Sequence, residues 1–209
     1  MAETNAPSAE VLEQIALQIS RRLVVSDRDK LVFSFTSLNE RGSPSTSTLD
    51  MGETFELWRL TPAAVDKFSQ EGGDLRSLAT RTGRWHHQIK LDGGVAAFAR
   101  SGNQKGGWIV DEIYVTPLAE TLDQAIERAD ALFSQDAIAV LLTAPAYQVE
   151  ALWFLPRGDT TVNDSELLVV TARTDLTLTP FQRVTSVEFI KALQGVPIGM
   201  GIKSKITAR

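Results

Sequence analysis

Eight strand-like segments, most of them separated by short polar turns, are the feature that most constrains how this chain folds. Short connections favour antiparallel neighbours, because a parallel pair needs a long crossover. The pattern therefore predicts a mostly antiparallel sheet of about eight strands. The segments cover residues 31–35, 54–60, 84–91, 95–100, 107–115, 137–143, 147–155 and 166–173.

Four helical segments interrupt these strands. Apolar residues recur at helical spacing over residues 8–22 and 118–133. Thr61-Pro62 is typical of a helix start, and the spacing of Thr185 and Glu188 predicts a capping box for the last helix. The order predicts an α+β fold with about four helices packed on one side of the sheet. A mixed α/β sheet is the alternative, because a strand followed by Thr-Pro and a helix recurs.

The chain of 209 residues is predicted to form a single domain, residues 1–209. Residues 1–7 and 196–209 are polar or glycine-rich and are expected to be mobile ends. Residues 39–52 lose all periodicity around a polar run of serines and threonines, which predicts a flexible loop.

The absence of cysteine excludes several kinds of chemistry. Disulfides, a thiolate nucleophile, Cys-ligated zinc and iron–sulfur clusters all need this residue type. The first residues lack the basic start of a secretory signal, and the most apolar run, Ala137–Ala146, is much shorter than a membrane span. We therefore expect a soluble, cytoplasmic protein without a transmembrane segment.

Charge is distributed unevenly along the chain, although the formal net charge is only −5. Basic residues dominate from Leu75 to Val110, and acidic residues dominate from Asp111 to Glu188. Such asymmetry is typical of complementary faces or of a charged partner. The favoured hypothesis is a non-catalytic interaction or accessory protein that binds a protein partner or itself. Its candidate binding residues are Arg81, Arg84, Trp85 and Lys90.

The same basic segment, residues 76–105, also supports a second hypothesis. Arginines interleaved with Trp85 are the residue types that bind the backbone and stack on the bases of single-stranded nucleic acid. Proteins of that class are usually basic, whereas this chain is acidic overall, which argues against nucleic acid as the partner.

Two pairs of adjacent residues are the candidates for catalysis. His86-His87 titrates near neutral pH, and Asp111-Glu112 places two carboxylates inside an apolar strand. If these residues met in one cleft, they would form the acid–base site of a small-molecule-binding enzyme. The non-catalytic alternative is that one of these two carboxylates forms an ion pair with Arg84 or Arg100 on a neighbouring strand. Adjacent residues of a strand point to opposite faces, so the histidines cannot share a metal, and we predict neither a metal nor a cofactor.

Overall fold

The structure, a computed structural model of the chain, describes residues 7–21, 23–25, 31–33, 49–91, 94–114, 117–132, 137–156 and 165–198. The helices are α1 (Ala9–Ser20), α2 (Pro62–Glu71), α3 (Leu75–Leu78), α4 (Pro117–Leu132) and α5 (Ser186–Leu193), with a 3-10 helix at Pro145–Tyr147. The strands are β1 (Leu23–Val25), β2 (Leu31–Phe33), β3 (Leu49–Arg59), β4 (Thr80–Leu91), β5 (Gly94–Gln104), β6 (Gly107–Tyr114), β7 (Ala137–Ala144), β8 (Val149–Pro156), β9 (Glu166–Thr171) and β10 (Arg183–Thr185). Among the helices of these ranges, none is both long and apolar enough to cross a membrane.

Eight strands form one sheet in the order β10-β9-β8-β7-β3-β4-β5-β6. Every pair of neighbours is antiparallel except β3 and β7, which run parallel at the centre. The prediction of an α+β fold with a mostly antiparallel eight-stranded sheet is confirmed. The central pair is parallel because α4 provides the long crossover from β6 at the edge back to β7.

The sheet consists of two halves that grow outward from this central pair. The strands β3 to β6 follow one another to one edge, and the strands β7 to β10 follow one another to the other edge. Each half ends with a helix, α4 after β6 and α5 after β10.

The two faces of the sheet carry different cores. On the first face, Trp58 of β3 and Trp153 of β8 pack with residues of α2, α3 and α5, while Ile15 and Ile19 of α1 cover β4 to β6. On the second face, Leu57 of β3 and its neighbours pack against α4. The expectation that helices lie on one side only is therefore wrong. Both faces of the central strands are apolar and have to be covered.

Local sequence signals at three elements are confirmed. The Thr61 side chain accepts a hydrogen bond from the Ala64 amide at the start of α2. Thr185 and Glu188 form the reciprocal capping box of α5. The strand β7 contributes alternate residues to the cores of both faces, as its continuous apolar run predicts.

Other predictions differ from the structure. The segment at 31–35 contains β2, which pairs with β1 in a separate two-stranded sheet. The strand β10 was not predicted because its three residues are too few for a pattern. Since β3 begins at Leu49, residues 49–52 of the predicted 39–52 loop belong to a strand. Residues 39–48 and most of both predicted mobile ends lie outside the described residues.

The side chain of Gln18 on α1 covers part of the outer edge of β6. Its Nε2 donates to the Trp108 carbonyl at 2.8 Å, and its Oε1 accepts from the Val110 amide at 3.0 Å. The amide thus makes the two hydrogen bonds that a further strand would make. A free sheet edge is a template for association, and this side chain occupies part of it.

Replacing this amide tests its contribution directly. We expect Gln18→Ala to lower the free energy of unfolding by about 1–2 kcal/mol, because two hydrogen bonds to the backbone are lost. Urea denaturation measures the change, and sedimentation shows whether the opened edge associates. Gln14→Ala on the exposed side of the same helix is the control. Equal effects of the two substitutions would contradict the role of Gln18.

Candidate functional site

A cleft of about 810 Å³ lies on the second face, where the central parallel strands β3 and β7 both end. Crevices outside the carboxyl ends of parallel strands are common ligand sites, because adjacent chains leave the sheet there and keep the space open. Most of the lining side chains are polar: Arg59, Thr61, Thr80, Thr82, Arg84, Arg100, Thr143, Gln148, Glu150 and Thr171. Leu57, Leu118, Pro145 and Val149 add apolar surface.

Helical turns follow both central strands, and none of the described residues covers this end of the sheet. Thr61 and Pro62 begin α2 two residues after β3 ends, and Pro145 begins the 3-10 helix directly after β7. Proline fixes the backbone angle that a helix start needs. Since α2 packs into the core of the first face, it does not cover the second face above the cleft.

One transverse row of side chains crosses five neighbouring strands along the cleft. The register pairs Thr171 of β9 with Glu150 of β8, Glu150 with Thr143 of β7, Thr143 with Arg59 of β3, and Arg59 with Thr80 of β4. All five residues line the cleft. Adjacent strands are about 4.8 Å apart, so the row presents hydroxyl, carboxyl and guanidinium groups at regular intervals.

A chain of ion pairs joins the two halves of the sheet beside this row. The Nη2 atom of Arg84 donates to Asp111 Oδ1 at 2.5 Å and to Glu112 Oε1 at 2.8 Å. Arg100 donates to Glu112 Oε2 at 3.4 Å and to Glu150 Oε1 at 3.3 Å. The expectation that Asp111-Glu112 pairs with Arg84 or Arg100 is confirmed.

A β-bulge allows both adjacent carboxylates to contact the same arginine. Arg100 pairs with Glu112 and Ser101 pairs with Val110, so Asp111 is an extra residue in β6. An extra residue breaks the strict alternation of side chains between the two faces. Asp111 and Glu112 can therefore both reach Arg84.

The contact between Arg100 and Glu150 requires a concave second face. Their strands, β5 and β8, are separated in the sheet by β4, β3 and β7. In a flat sheet the two backbones would be about 19 Å apart, farther than these side chains can span. The twist and coiling of the sheet bring its two halves together around the cleft.

The two carboxyl groups that contact Arg100, those of Glu112 and Glu150, have pKa values shifted in opposite directions. Burial alone would raise the pKa of Glu112, but hydrogen bonding to Arg84 and the charges of Arg84 and Arg100 hold it below its usual value. Burial raises the pKa of Glu150, because Arg100 alone opposes this effect. Only 18% of the Glu150 side chain is exposed. Glu112 is thus held ionised, and Glu150 gains a proton more readily than an ordinary glutamate.

Several polar atoms of the cleft are buried without a hydrogen-bond partner among the described residues. They are Arg84 Nε, Arg100 Nε and Glu150 Oε2. Arg59, which is exposed, has no ion pair among these residues. Buried polar groups in native proteins are nearly always paired with protein, water or ligand. The three buried atoms are therefore exceptions, which a bound water or ligand would satisfy.

The histidines lie on opposite faces of β4, and neither is exposed. His87 Nδ1 is 3.1 Å from Thr54 Oγ1 and its Nε2 is 2.7 Å from Ser101 Oγ. His86 stacks on Phe98 with ring centroids 4.5 Å apart, and both of its ring nitrogens lack a partner among the described residues. Burial lowers the pKa of His87 to about 4, and burial together with the charges of Arg100 and His87 holds the pKa of His86 well below its usual value. The four candidate catalytic residues are not brought together in one cleft.

The candidate binding residues are also separated. The guanidinium of Arg81 forms two 2.8 Å hydrogen bonds with Glu56 and lies 5.4 Å from the Trp58 ring, on the first face. Arg84 lies in the cleft of the second face. Trp85 and Lys90 lie further along β4, and Trp85 is opposite Glu56 and Ser101 in the register. The structure does not bring these four residues into one patch.

Arg59, Glu150 and the cleft threonines were not predicted from the sequence. Arg100 was predicted only as an ion-pair partner. One signal was present for Glu150, which is the only charged residue from Ala137 to Pro156. The argument that singled out Asp111-Glu112, a charge inside an apolar strand, applies to it equally. The threonines carry no such signal, because the register alone aligns them.

The chain matches no family model, no curated protein and no solved structure in the comparisons made with known proteins.

Because His87 is buried in its neutral form, we expect the free energy of unfolding to fall at acid pH. The unfolded chain binds a proton at this residue near pH 6.5, whereas the folded chain resists until about pH 4. The contribution of neutral His87 to the free energy of unfolding is therefore fully present above pH 6.5, and it is lost as the pH falls toward 4. The loss is on the order of 3 kcal/mol, and His86 adds to it in the same direction.

His87→Gln, which keeps two hydrogen-bonding groups but does not titrate, should reduce this acid-dependent loss. Urea denaturation between pH 7.5 and 4.5 measures the dependence. Thr54→Val is the control, because it removes a hydrogen-bond partner of His87 and leaves the titration. An unchanged pH dependence in His87→Gln would show that His87 is not held neutral by burial.

Proposed function

We propose that this protein binds a small, oxygen-rich molecule in the cleft at the end of β3 and β7. The observation that carries the proposal is the coincidence of one open cleft with buried, unpaired guanidinium and carboxyl atoms. Unpaired buried polar groups cost free energy, and proteins retain them mainly where function needs them. A ligand that reaches Arg84, Arg100 and Glu150 would remove this cost.

The chemistry of the lining supports a ligand with many hydrogen-bond acceptors. Three arginines offer only donors, and five threonine hydroxyls can donate as well as accept. Glu150 is the one carboxylate among the described residues of the lining. The apolar side chains of Leu57, Leu118 and Val149 suit a short carbon skeleton. A small carboxylate, phosphate ester or sugar acid has this combination of groups.

Binding without catalysis is the form of the proposal that the geometry favours. Glu112 and Asp111 are engaged with arginines, and both histidines are buried outside the cleft. Glu150 is the one group of the lining whose raised pKa suits proton transfer. No nucleophile–base pair accompanies it among the described lining residues.

The interaction hypothesis remains a second proposal. Its specific support is β6, an edge strand of the sheet on which Ile109 and Tyr114 are exposed. Exposed apolar and aromatic side chains on an edge strand suit a protein partner or a second copy of the chain. Arg81 and Arg84 are neutralised by the chain's own carboxylates, which leaves less charge for a partner than the sequence predicts. The cytoplasmic location also stays a prediction.

Blocking the cleft tests the first proposal. Thermal unfolding is followed with a panel of small carboxylates, phosphate esters, sugar acids and neutral sugars. A ligand at 100 times its dissociation constant stabilises by about 2.7 kcal/mol, which corresponds to a rise in Tm of roughly 5–10 °C for a chain of this size. We expect such a rise in the wild type and its loss in Thr80→Trp, whose indole occupies the cleft.

Thr174→Trp is the matched control, because Thr174 is exposed in a turn and does not line the cleft. It should bind as the wild type does. The proposal fails if no compound of the panel stabilises the wild type, or if stabilisation persists in Thr80→Trp.

A further inference from the structure

We propose that the ligand carries an acidic group, a carboxylate or a phosphate, that Arg59 binds while protonated Glu150 donates a hydrogen bond to the same group. This inference rests on the proposed cleft function and specifies its ligand class. It also couples binding to the uptake of one proton from solution.

The positions of Arg59 and Glu150 carry the first step. They occupy the same transverse row and are separated by Thr143 alone. Their backbones are thus two strand spacings apart, about 10 Å, which leaves room for one acidic group between the two side chains. The hydroxyl of Thr143 lies in the row between them, although it also donates to the Trp58 carbonyl at 3.2 Å. An oxyanion in this position would face donors from Arg59 on β3 and from protonated Glu150 on β8, whereas the one hydroxyl hydrogen of Thr143 is already donated.

The charge balance of the cleft supports an anion at Arg59. Asp111, Arg84, Glu112, Arg100 and Glu150 neutralise one another along the ion-pair chain, with one negative charge in excess. Arg59 has no ion pair among the described residues, so its charge is available to a ligand. Guanidinium groups bind carboxylates and phosphates with two parallel hydrogen bonds.

An ionised Glu150 would repel such a ligand, and this repulsion is the reason for proton uptake. The charged group that contacts Glu150 is Arg100 from β5. Arg84 from β4 and Arg59 from β3 line the same cleft, and Glu112 from β6 contacts Arg84 and Arg100. The neighbouring strands β7 and β9 contribute Thr143 and Thr171, and α4 contributes Leu118, none of which titrates. A second anion in this low-dielectric site favours the neutral form of the glutamic acid.

The surroundings of Glu150 favour the protonation of its carboxylate. Burial raises its pKa, and its Oε2 atom is buried without a partner. When protonated, this oxygen can donate to the bound acid, while Oε1 still accepts from Arg100 at 3.3 Å. The alternative is that Glu150 stays ionised and accepts a hydrogen bond from a hydroxyl or amine of a neutral ligand.

Sulfate is the probe that separates these two possibilities, because its charge is constant from pH 5 to pH 8. Calorimetric titration at several pH values should show tighter binding to the wild type as the pH falls. Above the pKa of Glu150, the dissociation constant should rise about tenfold per pH unit until the affinity of the ionised form is reached. Glu150→Gln, which resembles the protonated acid, should bind sulfate independently of pH and at least tenfold more tightly than the wild type at pH 8.

Arg59→Ala should weaken sulfate binding at least tenfold at every pH, and Arg76→Ala should leave it unchanged. Arg76 is exposed on α3 and does not line the cleft. Weaker binding by Glu150→Gln than by the wild type, or pH-independent binding by the wild type, would overturn the inference. If sulfate does not bind but a neutral compound still stabilises the wild type and not Thr80→Trp, this inference fails and the proposed cleft function stands. If sulfate does not bind and no compound stabilises the wild type, both this inference and the proposed cleft function are refuted.

Discussion

The parallel pairing of β3 and β7 determines where the cleft of this protein lies. Because these strands run in the same direction, their carboxyl ends lie together at one end of the sheet. A helix that begins with proline follows each of these two strands, and the other strands of each half of the sheet extend away from the centre. The space left above the second face is the cleft, and it lies where the two halves of the chain meet.

The polar residues of the cleft are placed at some cost to stability. Arginines and glutamates lose hydration when they are partly buried, and ion pairs in such positions often return little more than this loss. An apolar cluster, like the one under α4 further along the same face, would be the simpler way to hold the two halves together. The chain instead has guanidinium and carboxyl atoms without partners among the described residues. Trp58 Nε1, both ring nitrogens of His86 and Gln88 Nε2 are also buried without such a partner, but none of these residues lines the cleft. The reason to propose a function for the cleft is that Arg84, Arg100 and Glu150, which carry three of these atoms, line one open cleft together.

Local patterns in the sequence predicted most elements of the sheet and of the helices. Alternating apolar residues, Thr-Pro at the start of α2 and the capping box of α5 all act within a few residues of the chain, so one sequence reveals them. The parallel pairing and the coverage of both faces depend on which segments meet, and no local pattern encodes that. The site was missed for the same reason. Thr171, Glu150, Thr143, Arg59 and Thr80 are distant in sequence and form a row only through the register of five strands. The sequence also could not show that both histidines are buried, since their burial depends on which segments pack over β4.

Native mass spectrometry of the protein, taken gently from its own cells, tests the central claim most directly. The wild type should carry an additional mass that is lost on denaturation and that corresponds to a small acidic molecule. Thr80→Trp, prepared in the same way, should have the bare mass of its chain. A wild type that has only the mass of the chain, or the same additional mass on both proteins, would contradict the assignment of function to the cleft.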